Sequence, residues 1–390
     1  MRDERPDPDL EELAAEAIEA EEEDFEQRGA ALLRDRRRIV GLVLAVVLLV
    51  IAIYVVVPKV VGLNDVFGRL GDATWYWLVI AAAFNAVSFV SYAVLFRTVV
   101  GSGEGPVTRR LDLRASYQIT MAGFVATSLF SAGGAGGVAL TYWALRKAGM
   151  SRRVAAARMV AFLALLYSMY LLALVVFGVL LRTGVLNGDN PVGGTIVPAA
   201  VAGVVLLFLV AVSFLPEGME RQVRRMESRD TRAARLAGAI ARAPVTVAAG
   251  VRTAAAHVRH PRSSAPALLG AIGWWAGTIG VLWASFQAFG LSVPLGVLVQ
   301  GFFVGMVANL APSPAAGTGT VDVGLIGAFV LFGIDADDVL PAILVFRVIG
   351  FWLPIPVGVV AYLQLRKTIR GWEAETRDAT IKSKVTAEAT

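Results

Sequence analysis

Cysteine is absent from the 390-residue chain, and histidine occurs only twice. The first absence excludes disulfides, thiol nucleophiles, iron–sulfur clusters and Cys-type zinc sites. His257 and His260 stand three residues apart in an arginine-rich polar stretch with no carboxylate close by. A solvated loop is expected there, with no metal site and no cofactor. Charge is scarce too: 17% of residues are charged against 56% hydrophobic, and the mean hydropathy is +0.65. Apolar runs near the length that crosses a bilayer recur from Ile39 to Tyr362, which no water-soluble domain needs. The composition is that of a polytopic integral membrane protein.

The net charge of +5 conceals an uneven distribution. Met1 to Glu26 holds thirteen acidic residues against Arg2 and Arg5, about −11, leaving about +16 on the rest. Basic cytoplasmic loops explain that remainder, and nucleic-acid binding is not required. Residues 1–38 read as an acidic cytoplasmic segment in which Leu10, Leu13, Ala17 and Ile18 follow helical spacing, suiting a frayed, solvated helix. Arg34, Arg36, Arg37 and Arg38 precede the first apolar run, so no cleavable signal peptide is expected and the N-terminus is placed inside.

The first span is Ile39 to Val57, about 28 Å of helix at 1.5 Å per residue, ended by Pro58. A second runs from Trp75 to Phe96, entered through Trp75, Tyr76 and Trp77, which suit the interfacial belt. Val154 to Leu181, Thr195 to Leu215, Ala265 to Phe289 and Val339 to Leu365 supply four more. In the last, Pro341 suits a first helical turn, whereas Pro354 and Pro356 should kink the interior. Between the halves, residues 216–264 form a basic loop: Pro216 to Arg262 holds ten arginines against four acidic residues, which assigns it to the cytoplasm.

Two segments are apolar but broken. Ala115 to Leu145 carries the tip Gly133-Gly134-Ala135-Gly136-Gly137, beyond which too few residues remain before Arg146 to cross alone. Basic residues flank both of its ends, so it should enter and leave on the cytoplasmic side. Leu295 to Phe332 carries Pro312-Ser313-Pro314 and Gly317-Thr318-Gly319-Thr320, and its flanks hold three aspartates and no Lys or Arg. It should open to the outside. The expected fold is therefore an all-α polytopic membrane protein with about six full spans and two broken re-entrant hairpins, arranged as inverted repeats over 75–181 and 265–365. The membrane domain covers 39–365, and 366–390 form a cytoplasmic tail. Paired broken segments in two inverted halves point to a transporter's substrate site.

Non-helical backbone at membrane depth is tolerated only in protein or beside a wet cavity. Glycines let the chain turn and bring its amides close to a ligand, and the helices starting at Val138 and Val321 present their positive ends to an anion. Ser131, Gly133, Gly134, Gly136 and Gly137 in the first half, and Gly317, Thr318, Gly319 and Thr320 in the second, are the candidate binding residues. Close helix packing is the competing role for these glycines. Gly317 to Asp322 lacks the third glycine and the lysine of a nucleotide loop. Arg347 lies about 12 Å into its span counted from Val339. A charge so deep is a functional candidate, with Asp322 as its partner; a structural ion pair is the alternative. Arg158, a turn inside its span, should snorkel to the surface. Asn85, Gln118, Gln287 and Asn309 could line a cavity or join helices.

The run Gly317 to Leu325, then Gly333, Phe346-Arg347 and Trp352-Leu353-Pro354, resembles the second-half motif of the lysylphosphatidylglycerol synthase transmembrane region family of flippase-like proteins. The tip Gly133 to Gly137, followed by Leu145 to Arg152, is similar to its first-half motif, and the resemblance spans Arg36 to Lys367. It implies movement of a lipid between leaflets. Bifunctional members add a soluble aminoacyltransferase domain; only Thr368 to Thr390 follows the last span, so aminoacyl transfer is not implied. Ala139, Phe162 and Leu163 stand where the family's first half carries an acidic residue and a Glu-Arg pair, and Asp322 where it often has glutamate. The expected function is translocation of a polar or anionic-headgroup lipid (phospholipid, glycolipid or polyprenyl-phosphate lipid) in the cell membrane, with both termini cytoplasmic. An intramembrane lipid-modifying transferase using Asp322, or a non-transporting scaffold, are the alternatives. The sequence does not specify an oligomeric state.

Overall fold

The computed structural model describes residues 73–102, 106–129, 135–213, 250–256, 259, 264–310 and 319–388, all within the compact unit Asp72–Thr390. The acidic segment, the span Ile39 to Val57 and most of the basic loop lie outside the described residues. Every regular element among those described is helical, as a lipid solvent demands: only a helix satisfies its own backbone without water or a neighbouring strand. The first half comprises α1 (Trp75–Val100), the short α2 (Pro106–Arg110), α3 (Leu113–Leu129), α4 (Ala135–Lys147), α5 (Arg152–Arg182) and α6 (Ile196–Ser213). The second comprises α7 (Ala265–Ala288), α8 (Leu295–Met306), α9 (Thr320–Leu331), α10 (Ala336–Arg347) and α11 (Pro354–Glu388). Among the described residues, four stretches are long and apolar enough to cross a membrane: α1, α5, α7 and the run Ala336–Arg377. The helices α6, α8 and α9 are apolar but shorter.

The most extensive helix contact joins α1 to α7, and the sequence of α7 shows why. Gly270, Gly273, Gly277 and Gly280 recur at intervals of three and four, forming one bare stripe along the helix. A Cβ on Gly270 would lie 2.8 Å from the Leu95 nitrogen, and one on Gly277 2.8 Å from the Ser88 Cβ. Small residues let the backbones approach where no hydrophobic force drives helices together in lipid. Ser88 Oγ uses the approach to donate to the Trp274 carbonyl at 2.8 Å.

Each broken segment folds as a pair of packed limbs, α3 against α4 and α8 against α9. Glycines close both pairs. A Cβ on Gly137 would lie 2.6 Å from the Gly123 carbonyl oxygen, and one on Gly324 2.6 Å from that of Gly305. The first limb of the second pair tightens into a 3-10 turn, Val307–Leu310.

One expectation for the last span is corrected. Pro341 sits inside α10, not in its first turn, because the helix starts at Ala336 with Asp337 and Asp338 in that turn, where the dipole favours negative charge. Beyond the expected end of the span at Leu365 the chain stays helical, as α11, to Glu388. The interior break does occur before Pro354, as a π turn over Val348–Trp352.

Candidate functional site

The second-half site is built on the first turn of α9. Gly319 adopts φ 88°, ψ −52°, a conformation that L side chains rarely enter. That turn aims its N–H at Asp322 Oδ2, 3.0 Å away, while its carbonyl accepts the Val323 N–H at 2.9 Å. Asp322 thereby caps its own helix, and its other oxygen, Oδ1, accepts from Arg347 Nε at 2.6 Å. Arg347 is the last residue of α10, about 16 Å along that helix from Ala336. Its side chain is 7% exposed and that of Asp322 14%. The guanidinium also stands 5.2 Å over the Phe351 ring, a cation–π contact that gains strength with desolvation. The carboxylate lies where both the helix dipole and a guanidinium favour an anion.

Immediately after Arg347 the backbone changes pitch. Leu353 N–H bonds the Val348 carbonyl at 2.8 Å, so it is not available to Ile349, and Pro354 has no N–H to offer. The orphaned Ile349 carbonyl is satisfied from outside: Asn85 Nδ2 on α1 donates to it at 2.8 Å. Asn85 therefore binds backbone and supports the π turn that begins directly after Arg347.

Of the first-half candidates, Gly136 and Gly137 are helical residues of α4, which begins at Ala135 and not at Val138. Gly137 packs on Gly123 and Thr127, so its lack of a Cβ serves limb contact. Ser131, Gly133, Gly134, Gly317 and Thr318 lie outside the described residues. Gly319, Thr320, Asp322 and Arg347 are brought together where the first turn of α9 meets the last residue of α10.

A cavity of ≈ 340 Å³ opens between α1, α3, α4, α5 and α7, lined by Tyr92, Phe96, Phe124, Phe162 and Trp274 with Gly137 at its edge. Phe162 and Leu163, which stand where the family resemblance implies charges, face this cavity. Its aromatic wall was not singled out from sequence. Phe89, Tyr92 and Phe96 recur at helical spacing along α1, a signal that serves ordinary core packing equally well.

The remaining candidates separate. Gln118 accepts the Thr368 hydroxyl at 2.9 Å. Gln287 is half-buried and Asn309 exposed. Arg158 does not simply reach for the surface: its Nη1 donates to the Val100 carbonyl at 2.6 Å, satisfying an acceptor that the end of α1 leaves open.

Helices that satisfy their own backbones, glycine seams and a buried ion pair in an apolar bundle define a multi-pass α-helical membrane protein. The family described as Lysylphosphatidylglycerol synthase TM region matches residues 38–358, and the chain belongs to it. The chain is also similar to a "UPF0104 membrane protein" of Methanothermobacter thermautotrophicus, 31% identical over 96 residues. That match covers 25% of this chain and 27% of the relative, so the chain spans little more than a quarter of that protein's length. No solved structure matches the chain.

Proposed function

We propose that the protein translocates a polar or anionic-headgroup lipid between leaflets of the cell membrane. One observation carries this reading: a desolvated Asp322–Arg347 pair closes over the start of α9, between the second limb of a broken hairpin and a span interrupted by a π turn. An ionisable pair at such a place is disfavoured unless it is matched, and π turns collect at functional sites. Opening the pair would present a guanidinium and a helix N-terminus to a phosphate. The aromatic cavity beside the first hairpin suits acyl chains. The reciprocal glycine contacts, Gly123 with Gly137 and Gly305 with Gly324, support two inverted repeats over 75–181 and 265–365. In this reading the protein has about six spans, a membrane domain of 39–365, and cytoplasmic ends at 1–38 and 366–390. Ser131, Gly133, Gly134, Gly317 and Thr318 belong to the lipid-binding set in the same reading.

The test is reconstitution with fluorescent phospholipid, glycolipid and polyprenyl-phosphate lipid in turn, scoring the fraction accessible to a membrane-impermeant quencher. Wild-type protein should accelerate exchange of at least one, and Arg347→Gln should abolish it in protein that still elutes as a folded species. Failure to move every lipid refutes the reading. The bond from Gly319 N–H to Asp322 favours a second reading, a purely structural lock. That lock predicts Arg347→Gln variants which, once folded, move lipid at the wild-type rate.

A further inference from the structure

Where α2, the start of α3 and the polar length of α11 meet, the protein forms an open cavity of ≈ 730 Å³, within the range of small-molecule sites. Arg109, Arg110, Arg114 and Lys367 line it against Asp112 and Glu375, a formal excess of two positive charges. The carboxylates are already engaged. Asp112 Oδ1 accepts the Ala115 N–H at 2.7 Å, and Glu375 lies 3.7 Å from Arg110. Arg110 is engaged as well, donating to the Trp372 carbonyl at 3.1 Å and to Thr376 Oγ1 at 2.7 Å. Arg109, Arg114 and Lys367 are exposed side chains that form no ion pair with another described residue.

The floor is polar and fixed. Gln118 is 1% exposed, donates to Gln364 Oε1 at 3.4 Å and accepts from Thr368 at 2.9 Å. Retention of loops on one side of a membrane needs basic residues near helix ends. It does not need the basic residues of α2 and α3 to share one concavity with Lys367 of α11, more than 250 residues further along the chain.

We propose that this cavity is a phosphate site, taking a phosphate monoester carried by a membrane lipid or free in solution. Two planar guanidinium forks and one ammonium offer charge-assisted hydrogen bonds to its oxygens, while Gln118 and Thr368, bonded to each other, keep the floor below polar. The site uses none of the groups around Asp322 and Arg347 and stands whether or not the protein translocates lipid.

The experiment is calorimetric titration of the full chain in non-ionic detergent with dihexanoyl phosphatidic acid, inorganic phosphate and dihexanoyl phosphatidylcholine. Phosphatidic acid should bind and phosphatidylcholine should not. The triple variant Arg109→Gln, Arg114→Gln, Lys367→Gln should weaken phosphatidic acid by about ten-fold or more, since three charge-assisted contacts are lost. Arg370→Gln, an exposed charge on α11 outside the cavity lining, should change the affinity less than about two-fold. Phosphatidic acid binding much tighter than inorganic phosphate assigns a lipid source. Equal affinities assign free phosphate, and either sustains the site. No binding of either phosphate, equal binding of phosphatidylcholine, or an unchanged affinity in the triple variant overturns it. If the triple variant does not fold, Lys367→Gln alone carries the test, with about three-fold weaker binding expected and unchanged binding fatal.

Discussion

Neutralising Asp322 separates the two bonds this carboxylate makes. Asp322→Asn keeps the size and an oxygen able to accept the Gly319 N–H, but leaves the buried Arg347 without its counter-charge. Removing one partner of a buried pair costs about 3–5 kcal/mol, because the remaining charge stays desolvated and alone. Losing a helix-capping acceptor costs about 1 kcal/mol. Asp322→Asn should therefore destabilise by about 3 kcal/mol and Asp322→Ala by about 1 kcal/mol more. Arg347→Gln should cost a similar amount. The double variant Asp322→Asn, Arg347→Gln leaves no charge stranded, so its cost should fall short of the sum by about 2 kcal/mol or more. Reversible unfolding in mixed micelles, run on all four corners of the cycle, measures this. Costs that add to within about 0.5 kcal/mol would show that the two residues act independently and would refute the reasoning.

Four further substitutions probe the frame around that pair. Asn85→Leu removes the donor to the Ile349 carbonyl and should cost about 1–3 kcal/mol in the same unfolding assay; a change under about 0.5 kcal/mol would mean the π turn needs no support from α1. Gly277→Val places methyl groups where a Cβ already lies 2.8 Å from Ser88, so it should cut the yield of folded protein severely. Gly327→Ala, which meets nothing within 4 Å, should be neutral or stabilising by about 0.5–1 kcal/mol; similar behaviour of the two would remove the glycine seam as an explanation. Gly319→Ala forces a side chain into φ 88° and should cost about 1–3 kcal/mol, read as a lower unfolding midpoint, with no change counting against the strained turn.

How far the sequence was legible depended on whether a property was additive along the chain. Hydropathy is, so the helices at Trp75–Val100, Arg152–Arg182 and Ala265–Ala288 lie within a few residues of their expected ends. Proline chemistry is local, so the interruption at Pro354 was foreseeable, although its form as a π turn with a carbonyl satisfied from Asn85 was not. Glycine was ambiguous. The same residue type serves a turn at Gly319, limb contact at Gly137 and a helix seam at Gly270 to Gly280, and only the neighbours of each missing Cβ tell these apart.

The amino-acid sequence alone determined the class, an all-helical membrane chain, together with its family, because lipid permits few backbone solutions and the motif around Gly317 to Leu325 is distinctive. It also carried the expectation that Arg347 needs Asp322, since a deep charge must be matched. What tertiary structure decided is which atoms meet. The register that puts Arg347 Nε 2.6 Å from Asp322 Oδ1, the amide that reaches from α1 to Ile349, and the convergence of Arg109, Arg114 and Lys367 on one cavity all depend on how separate helices are rotated against one another. That rotation is set by many weak contacts summed across interfaces, and no local stretch of residues encodes it.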